Sequence, residues 1–353
     1  MLRIVSHMAY LIAFRNLQII IMNLTNLHKI LEKEPKFRYK QINEALFSKL
    51  IDDWQQATSL PMSLQNELNE SCPLTIDAEL FVSKDQKTTK AKIRLTDNNN
   101  IEAVLMRHIN NRNTVCVSSQ VGCVLDCKFC ATGQAGFKRN LNALEIIEQV
   151  LLFGRLLKKE KQHITNVVFM GMGEPFLNYE NVIESIKILN DKNGFNIGAR
   201  KISVSTIGII EGIEKFAQEK IQINLAISLH ASNDELRSQI IPTNEKYPIK
   251  LILKAVDDYI KQTNRRVMFE YLLIKDINDS DENAQELIML MKKPLYLVNL
   301  IPYNPIGNCS FSPSSSEKIR RFKEILEKGG VQVTQRYRFG QEVKGACGQL
   351  ADK

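Results

Sequence analysis

From Val115 onward, short apolar runs alternate with stretches whose apolar residues recur every three or four positions. The runs predict strands over Val115–Ser119, Asn166–Met170, Lys201–Thr206, Ile223–Ser228, Arg266–Leu272, Tyr296–Ile301 and Val331–Gln335. The amphipathic stretches predict helices, among them Ala143–Leu157, Asn181–Leu189, Ile249–Ile260 and Ser316–Lys328. Strands that are apolar on both faces, separated by crossover helices, imply a parallel sheet. The fold class is therefore α/β, a sheet curling into a full or partial (β/α) barrel whose chemistry sits where the strands end.

The pattern upstream is different. Leu27, Ile30 and Leu31, then Ile42, Leu46, Leu50 and Ile51, recur at helical spacing, and Ser59-Leu60-Pro61 opens a further short helix. Residues 22–79 thus read as a small helical module, with Lys36, Arg38, Lys40 and Lys49 as either a solvated basic face or an RNA contact. Lys90-Ala-Lys-Ile-Arg-Leu95 alternates charged and apolar side chains, and Asp97-Asn-Asn-Asn100 is a turn before Ile101-Glu-Ala-Val-Leu105. That makes a β-hairpin linker over 80–108 with Glu102 on its second strand, followed by the core over 109–353. Residues 1–21 are apolar but interrupted by Arg3, His7, Arg15, Asn16 and Gln18. The run Met8–Phe14 falls short of the about 20 residues a membrane span needs, so an early start site, with Met22 the real beginning, or a short peripheral helix is expected.

Composition adds little to the fold and something to the setting. A chain of 353 residues is long for one core, so a large domain with a smaller one is the default. Its seven cysteines, odd in number and clustered centrally, suit metal or catalytic use in a reducing cytoplasm better than a disulfide framework. The net charge of +8 fits an anionic partner such as RNA.

The chemistry concentrates in Cys116-Val-Ser-Ser-Gln-Val-Gly-Cys123-Val-Leu-Asp-Cys127-Lys-Phe-Cys130. The last three cysteines follow C-x3-C-x2-C, so they can hold three irons of a cubic cluster that usually takes four cysteines. The fourth iron is then free to bind a small molecule, which points to S-adenosylmethionine cleaved reductively to a carbon radical. The competing reading is zinc held by Cys116, Cys123, Cys127 and Cys130, although zinc knuckles usually pair two C-x2-4-C units across a longer spacer.

Polar clusters close the following strands. Gly171-Met-Gly173-Glu174-Pro175 allows close backbone approach and offers a carboxylate to an ammonium group. Ser203-Val-Ser205-Thr206 and Ser228-Leu229-His230 end the next two; each alone reads as a strand-end cap, together as ligand contacts. Asn304 precedes Pro305 in an ordinary turn signal, and Cys72 and Cys309 show no partner pattern. Cys347, in Lys344-Gly-Ala-Cys347-Gly348, lies among small residues that leave a thiol room to react.

The motifs Cys116 to Cys123, Cys127-Lys-Phe-Cys130-Ala-Thr-Gly, Gly171-Met-Gly-Glu-Pro175, Ser228-Leu-His230 and Ala346-Cys347-Gly-Gln-Leu350 resemble the RlmN/Cfr family of radical S-adenosylmethionine RNA methyltransferases, over Leu24 to Leu350. Pro175 resembles the RlmN branch, which methylates adenine C2 in 23S rRNA and often in tRNA, 3′ of the anticodon; the Cfr branch, attacking C8, is the alternative. The resemblance implies that Cys123, Cys127 and Cys130 ligate a [4Fe-4S] cluster. It further implies that Gly173, Glu174, Ser205, Ser228, Leu229, His230 and Asn304 contact S-adenosylmethionine. Cys347 would carry the methyl group, Glu102 would act as general base, and Cys116 would resolve the protein–RNA adduct by forming a disulfide with Cys347. The partners it implies are 23S rRNA, tRNA and an electron donor such as flavodoxin, with no membrane and a monomeric state. Lys87, Lys90, Lys92, Arg94, Lys138, Arg139, Arg200, Lys201, Arg320, Arg321, Arg336 and Arg338 are expected RNA-backbone contacts or ordinary surface charges. A non-catalytic zinc RNA-binding protein is the alternative from another class.

Overall fold

The computed structural model describes residues 27–307, 309–336 and 340–351. The expected leader at 1–21, the start at Met22 and the basic Arg338 lie outside the described residues.

The helical module comprises α1 (Leu27–Leu31), α2 (Phe37–Asn43), a π turn over Glu44–Ser48, a 3₁₀ turn over Trp54–Gln56 and α3 (Met62–Ser71). Its apolar stripe packs inward: Ile42, Leu46, Trp54, Leu64 and Leu68 are buried, and Trp54 Nε1 donates to the Cys72 carbonyl at 2.7 Å. A ring stack and a buried arginine help to fix the module to the core. Phe47 stacks on Phe195 with ring centroids 5.3 Å apart. Arg155, buried, donates to the carbonyls of Ile51 at 2.6 Å and Leu74 at 2.8 Å. Both acceptors are backbone oxygens of the module, so its position is set independently of their side chains.

Strands β1 (Ala78–Val82), β2 (Thr88–Arg94) and β3 (Asn100–Arg107) form an antiparallel meander, with Lys92 opposite Glu102. The expected hairpin is therefore continuous with a third strand, and β3 pairs antiparallel with β4 (Asn113–Val117), so it extends the main sheet. Next come β5 (Gln120–Gly122), α4 (Ala131–Gln134) and β6 (Phe137–Asn140); β5 and β6 make a separate two-stranded sheet beside the cysteine loop. The chain continues through α5 (Ala143–Lys159), β7 (Asn166–Phe169), α6 (Tyr179–Asn190), β8 (Ile202–Thr206), α7 (Ile210–Ala217), β9 (Asn224–Ser228), α8 (Asp234–Ile240) and α9 (Ile249–Thr263). It closes with β10 (Val267–Leu273), α10 (Asp281–Met291), β11 (Tyr296–Pro302), α11 (Ser316–Lys328) and β12 (Val333–Gln335).

The sheet order among the described residues is β1-β2-β3-β4-β7-β8-β9-β10-β11-β12, parallel from β4 onward. It ends at β12 without closing onto an earlier strand, so the barrel is partial. All five residues of β4 are buried, as a central parallel strand covered on both faces requires. Helix α5 starts from a full capping box, Asn142 and Glu145 each bonding the other's backbone N–H. Among the described residues no helix is long and apolar enough to cross a membrane.

Candidate active site

The cysteine loop leaves the barrel just past β4 and is braced at its entry. Gln149, on α5, accepts from Ser118 N at 2.7 Å and donates to Ser118 O at 3.0 Å. Asn178 donates to the carbonyls of Ser119 and Leu141. At Gly122 φ is +78°, and a Cβ would stand 1.8 Å from the Gly136 carbonyl oxygen, so only glycine fits this bend. The loop then turns tightly, Cys130 N donating to Cys127 O at 3.0 Å. Cys123, Cys127 and Cys130 line one cavity of about 960 Å³ of empty space at the strand ends. Burial pushes the Cys123 thiol up to about 12 and the Cys127 thiol well above the usual range.

The opposite wall is built by the rims of β7, β8 and β9. Gly173, Glu174, Ser205, Ser228 and His230 all line this same cavity. Gly173 has φ +96°, and a Cβ there would stand 2.5 Å from Gln120 Cβ. Glu174 is buried and accepts from Phe176 N at 3.0 Å and Ile207 N at 2.9 Å. Burial raises its carboxyl to about 7, the two backbone N–H groups holding it from rising further. Ser205 Oγ and Ser228 Oγ lie 3.3 Å apart. His230 sits in the left-handed region, φ +59°, and its Nδ1 accepts from Leu272 N at 3.1 Å. Burial, then the Arg237 charge, lowers its pKa to about 3, so the ring is neutral with its proton on Nε2. The fully buried Arg237 underpins this wall by donating to Leu229 O at 3.0 Å and Ile207 O at 2.6 Å. Leu229 itself is buried in the core and lines neither cavity described here.

The loop carrying Cys347 is pinned across this opening. Gly348 O accepts from Ala131 N at 2.7 Å, and Leu350 O from Thr132 Oγ1 at 2.6 Å. Asn304 Nδ2 donates to Cys347 O at 3.3 Å, and Gln349 Nε2 to Pro305 O at 3.0 Å. Asn304 thus braces the loop and lines a second cavity rather than the first. Cys116 lines that second cavity with it. Cys347 lines both cavities, as do Met170 and Arg336. Arg336 Nη1 donates to Cys347 Sγ at 3.1 Å.

The folded chain places several of the expected residues elsewhere. Glu102 lines neither cavity: its Oε1 pairs with Lys90 Nζ at 2.6 Å and its Oε2 accepts from Ala351 N at 2.9 Å. Lys90 is consequently buried and is not a surface contact for RNA. Arg336 faces the thiol, and Arg139 is held between Asp97 at 2.6 Å and Glu145 at 2.7 Å. Arg321 pairs with Asp281. All seven cysteines are free thiols, so no standing disulfide joins Cys116 and Cys347. The four-cysteine zinc set is not assembled either, because Cys116 lines a different cavity from the other three. Sequence reasoning passed over Glu270 in the first cavity, although a carboxylate inside the apolar run Val267-Met-Phe-Glu270-Tyr-Leu-Leu273 was a signal.

The donor set suits an iron–sulfur cube. Buried thiols ionise there only beside a cation, which iron supplies. Among the described residues no three His, Cys, Asp or Glu side chains converge as ligands of a single ion do. A cube takes one thiolate per iron and asks for no such convergence.

Comparison with known proteins agrees with this arrangement. Residues 117–288 match the model of the radical SAM superfamily. The probable dual-specificity RNA methyltransferase RlmN of Dictyoglomus turgidum is 48% identical over 90% of this chain and 91% of its own length. The ribosomal RNA large subunit methyltransferase N of Nitrosopumilus maritimus is 42% identical over 93% of this chain and 98% of its own. The crystal structure of a radical SAM methyltransferase from Sphaerobacter thermophilus superposes with a TM-score of 0.89 at 42% identity, covering 95% of this chain and 99% of that one.

Proposed function

Since the chain belongs to the RlmN family of radical SAM RNA methyltransferases, we propose that it methylates C2 of an adenine in 23S rRNA and of the adenosine 3′ of the anticodon in tRNA. It does so through a methylated Cys347, using two S-adenosylmethionine molecules per turnover. One observation carries the reading. Cys347 lines both the cavity of Cys123, Cys127 and Cys130 and the cavity of Cys116, so a single thiol faces the cofactor side and the resolving side.

When bound, the cluster and S-adenosylmethionine would supply the electron and the carbon radical that remove hydrogen from an S-methyl group. The chain's own residues do the rest. Cys123, Cys127 and Cys130 hold the cluster, while Gly173, Glu174, Ser205, Ser228 and His230 hold the cofactor, Glu174 taking its ammonium group. Leu229 acts through its backbone, and Asn304 keeps the Cys347 loop in place. Cys347 accepts the methyl group by displacement and carries the methylene carbon to adenine C2, an atom with no electron pair to offer a sulfonium. Glu102 takes the C2 proton, for which the Ala351 amide must first release it. Cys116 attacks the Cys347 sulfur, so that the S–C bond breaks as an S–S bond forms and the departing carbon takes a proton to become the methyl group; the odd electron left by radical addition would pass to the bound cluster, and external reduction restores both thiols. The target base is presented unpaired, the electron donor is of the flavodoxin kind, and the enzyme works as a cytoplasmic monomer.

Nucleoside analysis of 23S rRNA and tRNA from a strain lacking this activity, with and without this gene, tests the proposal. 2-Methyladenosine is expected to reappear in both RNAs; 8-methyladenosine, or no methyladenosine, refutes it. Cys347→Ala should abolish transfer, and Cys116→Ala should accumulate a covalent protein–RNA species visible by denaturing electrophoresis. Normal turnover by Cys116→Ala would remove its resolving role.

A further inference from the structure

Arg336 is expected among the surface charges, but it turns inward and its surroundings give it another task. It follows β12 directly and lies in the wall shared by the two cavities. Its Nη1 donates to Cys347 Sγ at 3.1 Å and its Nη2 to Met170 Sδ at 3.3 Å. A thioether is a weak acceptor, so the Cys347 sulfur is the partner that can reward a guanidinium with charge. A buried carboxyl group interacts with the same guanidinium. Glu270, on β10 and buried, accepts from Asn299 Nδ2 at 2.7 Å through Oε2, while its Oε1 is buried without a hydrogen-bond partner. Such an orphaned carboxylate oxygen is costly unless another state of the protein uses it.

We propose that Arg336 holds Cys347 as the thiolate that takes the first methyl group, and that Glu270 Oε1 is the berth to which the guanidinium turns once that sulfur is methylated. The inference rests on the function proposed above and deepens it. The displacement balances: the thiolate gains an S–CH₃ bond, the sulfonium loses one, and both products are neutral sulfides. The thiol proton has already left to water when the thiolate forms. Arg336 then loses its anion, and without Glu270 its charge would stand unpaired in a partly buried wall. The titratable groups facing Arg336 are Cys347 on the C-terminal loop, Glu270 on β10, Cys116 on β4, whose thiol burial pushes up to about 12, and His108 at the β3–β4 turn, whose pKa burial lowers to about 4. Electrostatics agree with the geometry. Burial works against the Arg336 charge, yet Cys347 and then Glu270 hold its pKa above the ordinary value.

The test reads the thiol without any cofactor. Apo protein is alkylated with iodoacetamide at a series of pH values, and the Cys347 peptide is quantified by mass spectrometry. The Cys347 peptide of wild type should be alkylated readily at pH 7. Arg336→Gln should react about tenfold more slowly at that pH, while Arg336→Lys keeps most of the rate. An unchanged rate in a folded Arg336→Gln protein overturns the first half. Thermal midpoints of Cys347→Ala, Glu270→Gln and the double variant test the second. The double variant should fall by more than the sum of the singles, because both berths are then gone; additive shifts overturn that half. Neither readout depends on RNA, so these outcomes are separable from the nucleoside analysis.

Discussion

Lys90→Met removes a cation that the structure pairs with the Glu102 carboxylate. Lys90 Nζ and Glu102 Oε1 are 2.6 Å apart, with side chains 10% and 4% exposed. At an effective dielectric of about 20, such a pair attracts by roughly 6 kcal/mol before desolvation is counted. Removing one partner of a buried pair costs about 3–5 kcal/mol, chiefly because the other charge is left alone. Methionine keeps most of the aliphatic length that packs in the meander, so the loss reports the charge. Glu102→Gln is the complementary change: it keeps an acceptor for Ala351 N and strands Lys90 beside the Phe81 ring, 5.2 Å from its centroid. Each single variant should lose about 3–5 kcal/mol of unfolding free energy in urea titrations followed by circular dichroism. The double variant should lose at least about 2 kcal/mol less than the sum. Losses additive within about 0.5 kcal/mol would refute a coupled buried pair. They would also leave Glu102 without the neighbour that holds it in place.

Gly173→Ala must push Gln120 away from a contact at 2.5 Å in a left-handed backbone. It should cost about 1–3 kcal/mol and weaken S-adenosylmethionine binding by calorimetry on cluster-loaded protein; unchanged affinity would show that this turn does not approach the ligand. His230 has a folded pKa of about 3 against an unfolded value near 6.5, so the native state binds fewer protons between them. Stability should therefore fall by about 1.4 kcal/mol per pH unit as pH drops through that window, with no contribution above it. His230→Asn, which tolerates the same backbone, should show a shallower decline; an identical pH profile would contradict the assignment. Anaerobic preparations should contain about four irons and four sulfides per chain, and chelation under reduction should remove both colour and methyl transfer. A colourless protein with one zinc would overturn the cluster.

The apolar runs predicted β4 and every strand from β7 to β12 to within a few residues, because parallel strands covered by helices on both faces are predominantly apolar. The three-residue β5 and four-residue β6 were not legible, since strands so short carry no period and are set by the Gly122–Gly136 contact. The cysteine spacing and the Gly-Glu and Ser-Leu-His clusters were readable because each is local in sequence. What stayed hidden was long-range. Nothing near Lys90 says that it will meet Glu102 twelve residues away rather than solvent. Nothing near Arg336 says that it will meet a sulfur on the C-terminal loop instead of a phosphate. Charged residues on a β-hairpin or after a strand read as surface by default, and only tertiary packing reverses that.

The loop that presents Cys347 is tied to Thr132 across 218 residues and to Glu102 across 249. Ties of that span cost more loop-closure entropy than local ones, so they are expected to form after the barrel that anchors them and to open before it. A chain caught before that final closure has an iron-binding pocket but no thiol facing it, and would squander electrons on a cofactor with no acceptor. Amide exchange at Ala131 and Ala351, faster than in β4 or β7, would mark this latch as a unit that opens on its own.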